Sequence, residues 1–148
     1  MKMRVVQATV KDLEGVAELF DLYRVFYEQE KDMDAARNYI EQRLENEDSV
    51  IFAVKDGDKY LGFTQLYPMF SSVSMKRMWI LNDLYVAEEA RKRGVGEMLM
   101  EKAKEFAIET GAKSLVLSTA VNNYSAQRLY EKLGYKRDTA FYSYELLL

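Results

Sequence analysis

The chain contains no cysteine and no histidine. Without cysteine there is no disulfide framework, no thiolate metal site and no cysteinyl acyl intermediate. Without histidine, Ser-His-Asp and Cys-His triads and imidazole metal ligands are excluded, so acid-base work falls to carboxylates, tyrosine, lysine, the termini or water. One proline and seven glycines in 148 residues leave no room for a disordered or low-complexity segment. No apolar run approaches the 18 or so residues of a membrane-spanning helix, and Met1-Lys2-Met3-Arg4 has no signal-like apolar run behind it. The cytoplasm is the expected location. A basic excess is also missing: 21 Lys and Arg against 24 Asp and Glu give a net charge of -3. That balance makes a nucleic-acid partner unlikely and suits a cationic substrate.

What is present describes an ordinary globular chain, 49% hydrophobic and 30% charged, of a length that predicts one domain over residues 1–148. Met3 to Ala8 reads as a first strand. Thr9-Val10-Lys11-Asp12 resembles a capping box, followed by a helical stripe of Leu13, Val16, Ala17, Phe20, Tyr23 and Phe26. A polar turn rich in Glu28, Glu30, Asp32 and Asp34 leads to a second helix with Ala36, Tyr39, Ile40 and Leu44 inward. Ser49–Val54 and Tyr60–Tyr67 read as a hairpin turned at Asp56-Gly57-Asp58, with Pro68 expected to interrupt its second strand. Further on, Ser114–Thr119 alternates as a strand, Asn123–Leu133 is a short helix closed by Gly134, and Thr139–Leu147 reads as a last strand. The order βααβββαβαβ predicts an α/β domain, a mixed twisted sheet flanked by helices.

The most informative stretch is Trp79 to Ala107. Trp79-Ile80-Leu81 and Leu84-Tyr85-Val86 form a buried strand into which Asn82 and Asp83 are set. The charged loop Glu88-Glu89-Ala90-Arg91-Lys92-Arg93 follows, then Gly94-Val95-Gly96, and from Glu97 the pattern is helical. Strand, basic glycine-containing loop and helix together make an anion site. The first amides of a helix have no intrahelical partner, and the helix dipole favours negative charge there. Gly94-Val95-Gly96 is neither a full GxGxxG nor a GxxxxGK[ST] loop, which argues against both of those nucleotide sites.

Arg91-x-x-Gly94-x-Gly96 resembles the acetyl-CoA loop of the GCN5-related N-acetyltransferases, the GNAT family. Asn123-x-x-Ala126-x-x-Leu129-Tyr130-x-x-x-Gly134-Tyr135 is similar to that family's second motif. The two stand in the family's order, and the resemblance covers essentially the whole chain. It implies a GNAT-like fold and an enzyme that transfers the acetyl group of acetyl-CoA to a primary amine of a small molecule or a lysine-like side chain. The transfer would be direct attack in a ternary complex, with no metal. By this resemblance the cosubstrate would be held by the backbone of Leu84, Tyr85 and Val86, by Arg91, Lys92, Arg93, Gly94, Val95, Gly96 and Glu97, and by Asn123 and Ser125. Tyr130 would donate a proton to the departing thiolate, for which a phenol of pKa about 10 facing a thiol of about 8.5 is suited.

Ile80-Leu81-Asn82-Asp83-Leu84-Tyr85-Val86 looks like the central motif of the polyamine-type and small-amine branch. Asp83 matches and Asn82 departs from the usual Glu, which puts polyamine chemistry in question because Asn takes no proton. Asp83, one of the carboxylates between residues 28 and 34, or water is the expected base. Tyr23, Tyr27, Tyr67, Phe70 and Trp79, with Ser71, Ser72, Asn82 and Asp83, form the expected acceptor site, where aromatics suit an ammonium group. Two rival readings are an acyl-CoA-binding sensor without turnover and a protein or aminoacyl-tRNA acetylase. Phe141-Tyr142-Ser143-Tyr144-Glu145-Leu146-Leu147 alternates aromatic and polar residues, as one face of a homodimer would.

Overall fold

The capping box read from Thr9 and Asp12 forms, and it sets the entry to the first helix. In the computed structural model, which describes residues 2–148, Asp12 Oδ2 accepts from Thr9 N at 2.9 Å and Thr9 Oγ1 accepts from Lys11 N at 3.3 Å. Strand β1 (Met3–Gln7) therefore ends in a 3₁₀ turn that passes into α1 (Leu13–Phe26). Helix α1 buries Leu13, Val16, Ala17 and Phe20 of the stripe that the periodicity predicts, and Leu19 beside them, while Phe26 at its end is exposed. Asp32 caps α2 (Met33–Asn46) by accepting from Ala35 N at 3.1 Å.

Strands β2 (Val50–Asp56) and β3 (Lys59–Ser71) meet across Gly57-Asp58, where Gly57 takes a φ of 62°. Strand β4 (Lys76–Val86) returns along β3, α3 (Val95–Glu109) crosses over, and β5 (Leu115–Val116) pairs beside β4. The sheet order is β1-β2-β3-β4-β5, antiparallel except for the parallel β4–β5 pair. Helix α4 (Tyr124–Lys132) follows. Contacts divide the chain into two compact units, one ending at Leu117 and one spanning Ser118–Leu148. Among the described residues no helix is long and apolar enough to cross a membrane.

Three sequence expectations are corrected. Pro68 does not interrupt β3, which runs on to Ser71 opposite β4. The β2 pairing ends at Val50 opposite Leu66, so by Pro68 the outer edge of β3 has no ladder for a missing N–H to break. Helix α3 starts at Val95 rather than Glu97, because Gly94 supplies the left-handed turn at φ 82° that lets the helix begin immediately. Residues 139–147 form no strand. An alternating segment becomes a strand only where another strand accepts its hydrogen bonds, and the unit from Ser118 to Leu148 contains none of its own. The homodimer expectation loses its strand with it.

Buried residues run without alternation from Leu61 to Leu66, as they must in a strand covered on both faces. Phe63 turns towards α1, with its ring 6.2 Å from Phe20 and 5.8 Å from Tyr23. Gly62 turns to the opposite face, where an added Cβ would stand 2.9 Å from both Val95 Cγ1 and the Tyr85 carbonyl oxygen. The start of α3 thus rests directly on β3 because residue 62 has no side chain. Gly62→Ala is expected to destabilise the protein by about 1–3 kcal/mol through overpacking, read as a lower urea midpoint at unchanged slope. An unchanged midpoint would mean that α3 has room to retreat.

Candidate active site

A β-bulge in β4 builds the polar centre of the first unit. Gln65 pairs with Asp83 and Leu66 with Leu81, so Asn82 is an extra residue with no register partner. The insertion reverses the alternation along β4. On one side of it Leu81 and Trp79 turn to the α3 face; on the other, Asp83 and Tyr85 turn to the α1 face alongside Gln65 and Phe63. A side chain that a regular strand would send into an apolar layer is thereby placed opposite Tyr23.

Asp83 is 5% exposed. Its Oδ2 accepts from Gln65 Nε2 at 2.8 Å and its Oδ1 from Asn82 Nδ2 at 3.1 Å, while Thr64 Oγ1 donates to its main-chain carbonyl at 2.8 Å. The Tyr23 hydroxyl reaches the Asn82 carbonyl at 3.4 Å and also hydrogen-bonds the Asp83 carboxylate. Burial raises the Asp83 pKa, and the donors from Gln65, Tyr23 and Asn82 offset only part of that rise. Gln65 is itself fully buried, and its Oε1 accepts from Ser49 Oγ at 2.8 Å.

Phenols surround this carboxylate. Tyr23 lies 5.0 Å from Tyr27 and 6.3 Å from Tyr85, ring to ring. The Tyr67 and Tyr39 hydroxyls share a 2.6 Å hydrogen bond. Tyr67 is held well above the usual phenol pKa, first by burial, then by the bond to Tyr39 and by the negative charge of Asp83. Tyr27 is half exposed at the C-terminal end of α1 and offers the cluster a face to solvent.

The structure brings Tyr23, Tyr27, Tyr67, Asn82 and Asp83 to the α1 face and leaves two expected acceptor residues elsewhere. Trp79 is a core residue on the α3 face: its ring packs 5.1 Å from Phe106 and its Nε1 donates to Thr110 Oγ1 at 2.9 Å. The bulge is the cause, since it puts residues 79 and 83 on opposite faces despite their even spacing. Phe70 also belongs to the α3 side, with the Arg77 guanidinium 5.2 Å from its ring and 5.0 Å from that of Trp79. Of the acidic turn, Asp32 is occupied as the α2 cap.

Beyond the bulge, β4 has an open edge. Parallel pairing with β5 is confined to Trp79 with Leu115 and Ile80 with Val116, and no described strand pairs on that side from Leu81 to Val86. The backbone of Leu84, Tyr85 and Val86 therefore runs along an unfilled ladder position. A 3₁₀ turn at Glu88–Ala90 then leads to Arg91, whose guanidinium returns to the Val86 carbonyl at 3.2 Å and lies 5.7 Å from the Tyr85 ring. Lys92 and Gly94 are both left-handed, at φ 64° and 82°. Gly94 is the N-cap of α3 and has no side chain to cap the amides that follow.

In the second unit, Asn123 caps α4 by accepting from Ala126 N at 3.2 Å, so its side chain has the ordinary N-cap task. Ser125 is in the first turn, Tyr130 is one ring separation of 6.1 Å from Tyr135, and Gly134 closes the helix at φ 95°.

Over residues 14–135 the sequence matches the acetyltransferase (GNAT) family. The chain belongs to that family. It is 47% identical over 142 residues to the uncharacterized N-acetyltransferase YhfO of Bacillus subtilis, covering 96% of this chain and 95% of that one. A D-amino-acid N-acetyltransferase of Saccharomyces cerevisiae is 35% identical over 94 residues, 64% of this chain and 58% of that one. A solved structure described as a probable acetyltransferase superposes with a TM-score of 0.94 at 46% identity, over 98% of this chain and 97% of the other. The protein is accordingly an N-acetyltransferase with a GNAT fold, and enzymes of this family use acetyl-CoA. Among the described residues, no cluster of three or more His, Cys, Asp or Glu side chains could hold a metal ion.

Sequence reasoning passed over Gln65, Ser49 and Tyr39. A signal for Gln65 was present: Thr64 and Gln65 are two polar residues inside the apolar run Leu61–Leu66, and a buried amide requires a partner. Ser49 was marked only as the start of a strand and Tyr39 only as an inward residue of a helix, because their partners lie 16 and 28 residues away.

Proposed function

We propose that the protein transfers the acetyl group of acetyl-CoA directly to a small primary amine, within a single N-acetyltransferase domain covering residues 1–148. One observation carries this reading: β4, which has no described strand partner on its far side from Leu81 to Val86, leads through the turn at Glu88–Ala90 to a helix whose N-cap, Gly94, has no side chain to fill the cap position. An open strand edge suits an amide-bearing arm, and an uncapped helix start suits a pyrophosphate. Acetyl-CoA supplies the thioester carbonyl and the leaving thiolate. Leu84, Tyr85 and Val86 would bind its arm through their backbone. The turn from Lys92 to Glu97 would receive the phosphates, with Arg91 and Arg93 adding positive charge.

On the α1 face, Asp83 would attract the acceptor's ammonium and take its proton, leaving the neutral amine to attack the carbonyl carbon. The phenols of Tyr23, Tyr27 and Tyr67 would line the approach, their ring faces favouring a cation. Asp83 suits the task because burial strengthens it as a base relative to a surface carboxylate. For Tyr130 the support is its place in the second motif, which makes it the proton donor to the sulfur; Asn123 and Ser125 would contact the CoA arm near the start of α4. Asn82 stands exposed at the bulge where the polyamine-type branch has a Glu. A compact monoamine therefore fits better than a polyamine, since Asn82 offers no second negative charge beside Asp83. The yeast relative's acceptors add D-amino acids to the candidates.

The test is incubation with acetyl-CoA and an amine panel of polyamines, D- and L-amino acids, aminoglycosides and lysine peptides, with products read by mass spectrometry. A product that falls by about 100-fold or more with Tyr130→Phe is expected. Acetyl-CoA binding without any product would favour the sensor reading, and a product confined to peptides or charged tRNA would favour the protein or tRNA acetylase.

A further inference from the structure

We propose that Gln65, its amide oxygen held by Ser49, is a positioning residue that fixes the Asp83 carboxylate for proton transfer. The inference rests on Asp83 as the group that takes the ammonium proton, and it adds two residues outside both sequence motifs. A carboxamide has one donor end and one acceptor end, and the shape of a buried pocket does not distinguish them. Here the chemistry does: an ionised Asp83 carboxylate only accepts, so Nε2 donates to its Oδ2 at 2.8 Å, and Gln65 Oε1 then accepts from Ser49 Oγ at 2.8 Å. Turned the other way, the amide would set its own oxygen against a carboxylate oxygen.

Asn82 Nδ2 holds the other carboxylate oxygen at 3.1 Å. Two amide donors, one on each oxygen, fix the rotation of the group and leave each oxygen with unused acceptor capacity for an ammonium. The remaining groups that face Asp83 are phenols: Tyr23 from α1, Tyr67 from β3 with Tyr39 of α2 bonded behind it, and Tyr85 of β4 beside Tyr23. Two cations flank these phenols and both are engaged: Arg43 of α2 by Asp48 at 2.9 Å and the Tyr39 ring at 4.9 Å, and Arg91 by the Val86 carbonyl at 3.2 Å. Among the side chains that hydrogen-bond Asp83, Gln65 favours its ionised form most.

The experiment titrates Asp83 directly, by carboxyl-carbon NMR of aspartate-labelled protein, with the resonance assigned from its loss in Asp83→Asn. In Gln65→Leu, and in Gln65→Met as a second apolar replacement of similar volume, the Asp83 midpoint is expected to rise by about one pH unit. Ser49→Ala should raise it by less, because the amide then loses the bond at its oxygen but keeps its donor end on Asp83. The acidic limb of kcat/KM should move up with the midpoint, while KM for acetyl-CoA stays unchanged. A Gln65 that only fills space would lower the melting temperature and leave the midpoint where it is; that result in both Gln65 variants overturns the proposal. Full activity in Asp83→Asn would remove the proton-transfer reading itself, whereas an inactive Asp83→Asn with unmoved midpoints would remove Gln65 alone.

Discussion

Asp83→Asn is expected to lower kcat/KM at neutral pH by about 100- to 10,000-fold, the range that loss of a general base produces. An alkyl ammonium has a pKa near 10.4, so nearly all acceptor arrives protonated and without a nucleophilic lone pair. The substitution keeps the shape of the site but removes both the charge that attracts the ammonium and the oxygen that takes its proton. It also puts an amide opposite the donors Gln65 Nε2 and Asn82 Nδ2, so one of those bonds must be given up. The same residue links activity to stability through pH. Its native pKa is raised by burial, so the folded protein holds this proton at pH values where the unfolded chain, with an Asp near 3.9, has released it. Stability from this group is therefore greatest below the unfolded value and falls as pH rises to the raised native one. Urea unfolding of wild type and Asp83→Asn over that window should show wild type losing ground to the variant as pH increases. A difference that is flat with pH would mean that Asp83 titrates normally.

How far the sequence reached follows from the range over which each interaction acts. The capping box at Thr9, the hairpin turn at Gly57 and the helix stop at Gly134 are local, and the structure has them where the residues imply. The succession of strand, charged turn and helix around Arg91 was legible for the same reason, although α3 takes in Val95 and Gly96, which the sequence left in the loop. The cluster expected around an acceptor forms only in part. Tyr23, Tyr27, Tyr67 and Asp83 reach one face, but the separation of Trp79 from Asp83 depends on one extra residue at Asn82, and a bulge is a relation between two strands. The Gln65–Ser49 bond and the Tyr39–Tyr67 bond are likewise products of packing. The failure of residues 139–147 to form a strand has the same origin: alternation specifies a face, but a strand also needs a neighbour.

The second large effect is expected at Gly94. Gly94→Asp should weaken acetyl-CoA binding by about 100-fold, while Gly94→Asn weakens it by no more than about 10-fold. The two side chains have nearly the same size, and both tolerate the left-handed backbone that residue 94 adopts at φ 82°. An added Cβ meets nothing within 4 Å, so neither change is expected to disturb the packing of α3. What separates them is charge. A carboxylate at the N-cap is attracted to the helix dipole and to the uncapped amides, so it occupies the place a phosphate would take and repels that phosphate as well. Two like charges about 4 Å apart interact by roughly 4 kcal/mol at the effective dielectric of a protein surface, and salt reduces this, so a hundredfold loss is a conservative reading. The thermal stability of the two variants should differ little, or favour Asp, because the same carboxylate that excludes the ligand stabilises the free helix. Titration calorimetry with acetyl-CoA at low and high salt measures the contrast. If Asp and Asn bind equally, the phosphates lie elsewhere and α3 has only a structural part in this fold.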